Sequence, residues 1–150
     1  MPHTNDHKIY LQDFTVGDRF VSGEYTLSVE DIKTFARQFD PQPFHLDEAA
    51  ADASFFGGLA ASGWHVGAIT MKLSVASLPI AGGLIGAGVQ LDWPQPTRPG
   101  DTLRVESVVR DITPSRSKPD RGIITLESET LNQRGEVCQR MTAKLLAFRR

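Results

Sequence analysis

Only one cysteine, Cys138, occurs in the 150 residues, so no intrachain disulfide is available and the fold must be held by its core. That cysteine usage fits a reducing cytoplasm and excludes a disulfide scaffold. Histidine is also scarce. The four residues stand at positions 3, 7, 45 and 65, and apart from His3 and His7 near the N-terminus none is set at a zinc-binding spacing, so neither a metal nor any other cofactor is expected. Charge of one sign is missing as well: 16 Lys and Arg against 18 Asp and Glu leave a net charge of -2, which offers nucleic acid no electrostatic footprint. The balance is uneven, since residues 98–150 hold 11 of those cations against 7 acids, a local site for an anion. No long apolar run survives inspection either. The stretch 63–91 is broken by Lys72, Pro79 and five glycines from Gly67 to Gly88, which excludes a membrane span, and the first eight residues lack the apolar centre of a signal peptide.

What is present is enough for one domain over 1–150, with 1–8 as a flexible tail. Residues 18–27 have the aromatic and β-branched content of a strand. Ser28 reads as a helix N-cap with Asp31 three residues on, and Val29, Ile32, Phe35, Ala36 and Phe39 recur at helical spacing. Residues 47–55 read as a second short helix ended by Gly57-Gly58. From Gly63 to Leu78 a third helix carries Val66, Ile69, Leu73 and Ala76 on one face, and Met71, Val75 and Leu78 widen its apolar stripe, so burial on more than one side is expected. Pro79 stops it, and 80–88 read as a flexible connection. Strands are expected at 86–93, 102–112, 122–132 and 137–148, forming a meander. The whole is an α+β layout, a curved antiparallel sheet wrapped around a long central helix. Gly83-Leu84-Ile85-Gly86-Ala87-Gly88 does not read as a dinucleotide fingerprint, because it follows a helix and opens a strand, the reverse of what that fingerprint requires.

The richest chemistry lies in Asp40-Pro41-Gln42-Pro43-Phe44-His45. Each proline fixes its own φ and biases the residue before it toward extended backbone, so the segment ends a helix and presents Asp40 and His45 from irregular backbone. A carboxylate and an imidazole held five residues apart on a stiff segment form a candidate acid/base pair. Asp-Pro is also a common turn opener, and a histidine after it can be an ordinary core residue.

The chain resembles the MaoC-like acyl dehydratases, the (R)-specific enoyl-CoA hydratases of the hotdog fold, over most of its length. The family's Asp-x-Asn-Pro-(Leu, Ile or Val)-His motif matches Asp40 to His45, with Gln42 in place of Asn and Phe44 in place of an aliphatic residue. Phe56 to Trp64 resembles its loop into the central helix, and Ser115-Arg116-Ser117-Lys118-Pro119 its strand-connecting segment. The resemblance implies a hydro-lyase acting on an enoyl or 3-hydroxyacyl-CoA thioester. Asp40 and His45 would grip one water, and the Gly63 N–H at the helix N-terminus would hold the thioester oxygen. Ser62, Trp64 and Phe44 are candidate substrate contacts, Ser62 reading more naturally as an N-cap than a nucleophile. The acyl pocket is expected to depend on Trp64, Phe44, Leu84 and Ile85. Arg116, Lys118 and Arg121 are candidates for the CoA phosphates, with an ordinary solvated loop as the plainer reading. His65 is a rival base without a paired acid. A hotdog thioesterase and a non-catalytic acyl-CoA binding module are the competing functions, and a homodimer or higher homo-oligomer is implied.

Overall fold

A computed structural model describes residues 7–150; residues 1–6, and with them His3 and most of the expected tail, lie outside the described residues. His7 and Lys8 are exposed, and from Ile9 the chain is anchored by a bridge to Ile80. The element order is β1 (Arg19–Thr26), α1 (Val29–Phe39), α2 (Pro43–Leu46), α3 (Glu48–Asp52), α4 (Gly63–Ser77), β2 (Ile85–Asp92), β3 (Thr102–Pro114), β4 (Arg121–Leu131) and β5 (Val137–Phe148). Each boundary has a local cause. Ser28 and Asp31 form a capping box that starts α1, Asp47 caps α3, and α4 ends at Leu78 immediately before Pro79. Helix α1 buries Ile32 and Ala36 and leaves Phe39 exposed.

The sheet order is β1-β3-β4-β5-β2, antiparallel throughout. This corrects the expected four-strand meander: β3, β4 and β5 are consecutive hairpin neighbours, but β2 pairs with β5 rather than β3. The reason is the connection 93–101, in which Pro94, Pro96 and Pro99 prevent a tight hairpin and carry the chain across to the far side of the sheet. The glycine-rich connection is also shorter than expected. Gly82 and Gly83, both at positive φ, make the turn, and Gly86 and Gly88 already belong to β2 on either side of a register shift.

Helix α4 lies against β1, β3 and β5, on the inner face formed by alternating residues such as Leu103, Val105 and Val109 of β3. Its N-terminal half packs in one cluster with Leu27, Ile32, Leu59, Leu103 and Cys138. Leu78, just past its C-terminus, packs in another with Leu11, Ile80, Ile124 and Leu145. The α+β, helix-wrapped sheet of the hotdog fold is therefore present. Within one chain, however, α4 is not buried on more than one side: His65, Val66, Ile69, Thr70, Leu73 and Ser74 are buried, while Trp64, Met71 and Val75 stay exposed. Among the described residues no helix is long and apolar enough to cross a membrane.

Candidate active site

Pro41 restricts Asp40 to non-helical backbone, so α1 stops there with Asp40 as its C-cap at φ -152° and ψ 68°. Gln42 before Pro43 is extended, as expected, but His45 is not on irregular backbone: Pro43 opens the short helix α2, in which His45 sits. A proline suits the first helical position because its missing N–H would have no partner there. Asp40 alone of the pair is on irregular backbone.

The His45 ring is buried and doubly held. Its Nε2 lies 3.1 Å from Asp40 Oδ2, and its Nδ1 lies 2.6 Å from the carbonyl oxygen of Ala60. A carbonyl oxygen only accepts, so Nδ1 carries the hydrogen and donates it to Ala60, leaving Nε2 as the nitrogen whose proton is exchangeable. At 3.1 Å the Nε2 and the Asp40 oxygen are close enough for a proton taken up by the imidazole to be held between them. Gln42 Nε2 donates to Asp40 Oδ1 at 2.5 Å, so the residue that departs from the motif's Asn grips the acid directly. Burial pushes the Asp40 carboxyl up, but hydrogen bonds from Ser62 and Gln42, then the attraction and hydrogen bond of His45, outweigh it and hold the group below its ordinary value. Phe44 meets the imidazole edge-on at 4.6 Å between ring centres, and Phe56 packs against Phe44.

His45 and Gly63 line one cavity of about 500 Å³, together with Phe44, Phe56, Trp93 and Thr97. Gly63 is the first residue of α4, and among the described residues no hydrogen bond takes up its N–H. Its lack of a side chain has a cause within the chain: a Cβ there would stand 2.7 Å from Trp93 Cε2. Ser62 stands at the N-cap position of α4, as expected, but its hydroxyl makes no capping bond. The carbonyl of Ser62 accepts from His65 and Val66, while its buried hydroxyl, unpaired in good geometry, faces the Asp40 carboxyl and helps depress its pKa.

The other sequence candidates are dispersed. Trp64 meets Trp93 edge-on and faces a second, apolar groove of about 630 Å³ with Ala68, Met71, Leu84 and Leu145. Phe44 and Trp64 thus line different hollows. Arg116 and Lys118 belong to the β3–β4 turn and Arg121 opens β4, where Gly122 packs on Leu11 at the C-terminal end of α4. That end is about 22 Å of helix away from Gly63, at roughly 1.5 Å per residue. One copy of the chain does not bring these cations to Asp40 and His45, and Arg121 is paired with Asp120. His65 stacks flat on Phe35 with centroids 4.6 Å apart, and burial lowers its pKa against a smaller pull from Asp31.

Trp93, Gln139, Thr97 and Arg98, which shape the site, were missed in the sequence. Trp93 covers Gly63, and its Nε1 donates to Gln139 Oε1 at 3.0 Å, while Gln139 donates to Thr70 and Thr70 pairs with Thr130. Thr97 and Arg98 bind the loop that carries Ala60. The signal was Trp93-Pro94-Gln95-Pro96-Thr97-Arg98-Pro99-Gly100, too rich in proline for a mobile linker.

Known proteins resemble the chain in sequence and in fold. Residues 13–131 match the MaoC-like domain. The chain is 35% identical over 127 residues to the uncharacterised protein YdeM of Bacillus subtilis (strain 168), covering 83% of this chain and 88% of that protein. It superposes on the crystal structure of the MaoC-like dehydratase from Rhodospirillum rubrum with a TM-score of 0.93 at 63% identity, over 95% of this chain and 98% of that one. The R-hydratase PhaJ1 from Pseudomonas aeruginosa, in its unliganded form, follows at a TM-score of 0.76 and 26% identity, over 95% and 88% of the two chains. With a hotdog fold and the domain match spanning most of its length, the chain belongs to the MaoC-like family.

Proposed function

We propose that the protein is a hydro-lyase that adds water to an enoyl-CoA thioester, or removes it from the 3-hydroxyacyl-CoA, with Asp40 and His45 as its acid/base pair. The observation that carries this reading is the pair itself: Nε2 of His45 faces Asp40 at 3.1 Å while Nδ1 is committed to a backbone carbonyl. In hydration Nε2 takes a proton from the water whose oxygen bonds to C3. The C2=C3 electron pair moves onto the thioester as an enolate, and a proton from the Asp40–His45 pair then closes C2, restoring the pair. Asp40 is held ionised at neutral pH and stabilises the imidazolium formed in between. The free Gly63 N–H opens α4 in the same cavity, where it suits the enolate oxygen. Ser62 and Phe44 flank the reacting atoms, and the apolar groove beyond Trp64 suits the acyl chain. The protein works without metal, as a homodimer, in the cytoplasm.

Crotonyl-CoA separates the readings. Loss of enoyl absorbance without free thiol is the expected result; free thiol would mean a thioesterase, and neither would mean a binding module or a different acyl group. Asp40→Asn and His45→Ala should each lower the hydration rate by about 10²- to 10⁴-fold with the fold retained by circular dichroism. Since the two would grip one water, the double variant should lose little more than the worse single one, and fully additive losses would place them at separate sites.

A further inference from the structure

The Ala60 carbonyl that sets the His45 tautomer is itself on a loop, and the structure shows what holds that loop. Arg98 Nη1 donates to the carbonyls of Gly58 at 2.8 Å and Leu59 at 3.3 Å, and Nη2 donates to that of Phe56 at 2.5 Å. Among the described residues no carboxylate stands within ion-pair distance of this guanidinium, so its hydrogen bonds run to backbone. Gly58 makes room for it, since a Cβ there would lie 3.3 Å from Nη1. The neighbouring residue completes the clamp: Thr97 O accepts from Ala61 N–H at 2.9 Å. The Ala60 carbonyl and the Ala61 N–H are the two ends of one planar peptide group. That peptide is therefore tied to His45 on one side and to Thr97 on the other, and the residues just before it are tied to Arg98. Arg98 in turn is fixed by its own N–H, which donates to Asp101 Oδ2 at 2.8 Å, in a turn closed by Gly100 at φ +86°.

We infer that Arg98 is a positioning residue for the acid/base pair: by gripping the 56–59 loop it holds the Ala60 carbonyl on His45 Nδ1, and so keeps Nε2 turned to Asp40 as the exchangeable nitrogen. The inference rests on the Asp40–His45 reading for its kinetic consequence, though not for its structural one. The planar fork is essential, because three carbonyls in different directions need fixed donors that an ammonium cannot supply. Losing the grip shifts the imidazole by a fraction of an ångström to an ångström, a displacement that costs about 10²-fold in rate when it misaligns a proton transfer.

The test uses Arg98→Gln and Arg98→Lys of the full chain, the lysine variant retaining the charge if the glutamine variant does not fold. In the wild type, nitrogen NMR of His45 should show hydrogen on Nδ1, with its signal protected from exchange. In both variants that signal should broaden or exchange rapidly, and kcat for crotonyl-CoA hydration should fall by about ten- to hundredfold with KM little changed. An unaltered Nδ1–H signal in a folded variant overturns the inference, whether kcat is kept or falls together with the melting temperature, since the latter is a purely structural role. If the wild type hydrates no enoyl thioester, the functional reading fails while the NMR comparison still decides the part played by Arg98.

Discussion

Among the described residues His65 and His45 are the two buried histidines, and their surroundings separate their roles. His45 has a carboxylate on one nitrogen and a carbonyl on the other, whereas His65 has the flat face of Phe35 and an Nδ1 without a hydrogen-bond partner. Burial depresses the His65 pKa below 6.5, so folding favours its neutral form. The unfolded chain therefore binds a proton that the folded chain refuses. The resulting stability is full above about pH 6.5 and is lost as pH falls from there through the folded pKa. His65→Phe should keep the stack on Phe35, remove the unpaired nitrogen and gain about 1 kcal/mol. Melting temperatures at pH 7 and pH 5 check this: the wild type should lose stability over that interval and the variant should lose less. The variant should also retain hydration activity, and a loss on the scale of His45→Ala would make His65 the base. In the sequence the two were told apart only by the acid five residues before His45, which was the decisive signal.

At the scale of elements, the entry into α4 and the 93–101 connection form one device. Trp93 lies on Gly63, and its indole N–H is held by Gln139, which is held in turn by Thr70 of α4. A side chain on Gly63 is thus excluded by the protein before any substrate arrives. Gly63→Ala should cost about 1–3 kcal/mol through overpacking. In a Trp93→Leu background the same change should cost at least about 1 kcal/mol less, because the colliding ring is gone. Equal costs in urea unfolding would show that Trp93 is not the reason for the glycine. This contact was illegible in the sequence. The strands and the helices other than α2 followed from alternation, caps and prolines, all local signals, and so did the placement of Asp40 at the end of α1. The pairing of β2 with β5 did not, since a strand's own pattern does not say which edge it joins. Nor did the Arg98 and Thr97 bonds to the Ala60 loop, which join residues nearly forty apart.

For the whole molecule, the apolar surface left open by one copy is continuous. Strand β2 forms an edge of the sheet with Val89 60% exposed and Ile85 43% exposed, and Trp64, Met71 and Val75 are exposed on α4 at helical spacing. The groove between helix and strand is lined by Trp64, Met71 and Val89 together, so one partner surface would cover all of it. The breadth of the apolar stripe on α4, which one chain does not bury, has the same explanation. An unpaired edge strand with apolar side chains is a template for association, and a second copy pairing along β2 would close both the edge and the groove. Sedimentation equilibrium should therefore give a dimer or a higher even assembly. Val89→Lys combined with Met71→Glu should shift it toward monomer, because charges on both sides of the groove would have to be desolvated in the interface. Hydration should fall with the dissociation, because Met71 and Val89 line the groove proposed for the acyl chain, while Asp40, His45 and their local bonds remain intact. A wild-type chain that sediments as a monomer at micromolar concentration and remains fully active would show that this face serves neither assembly nor catalysis through assembly.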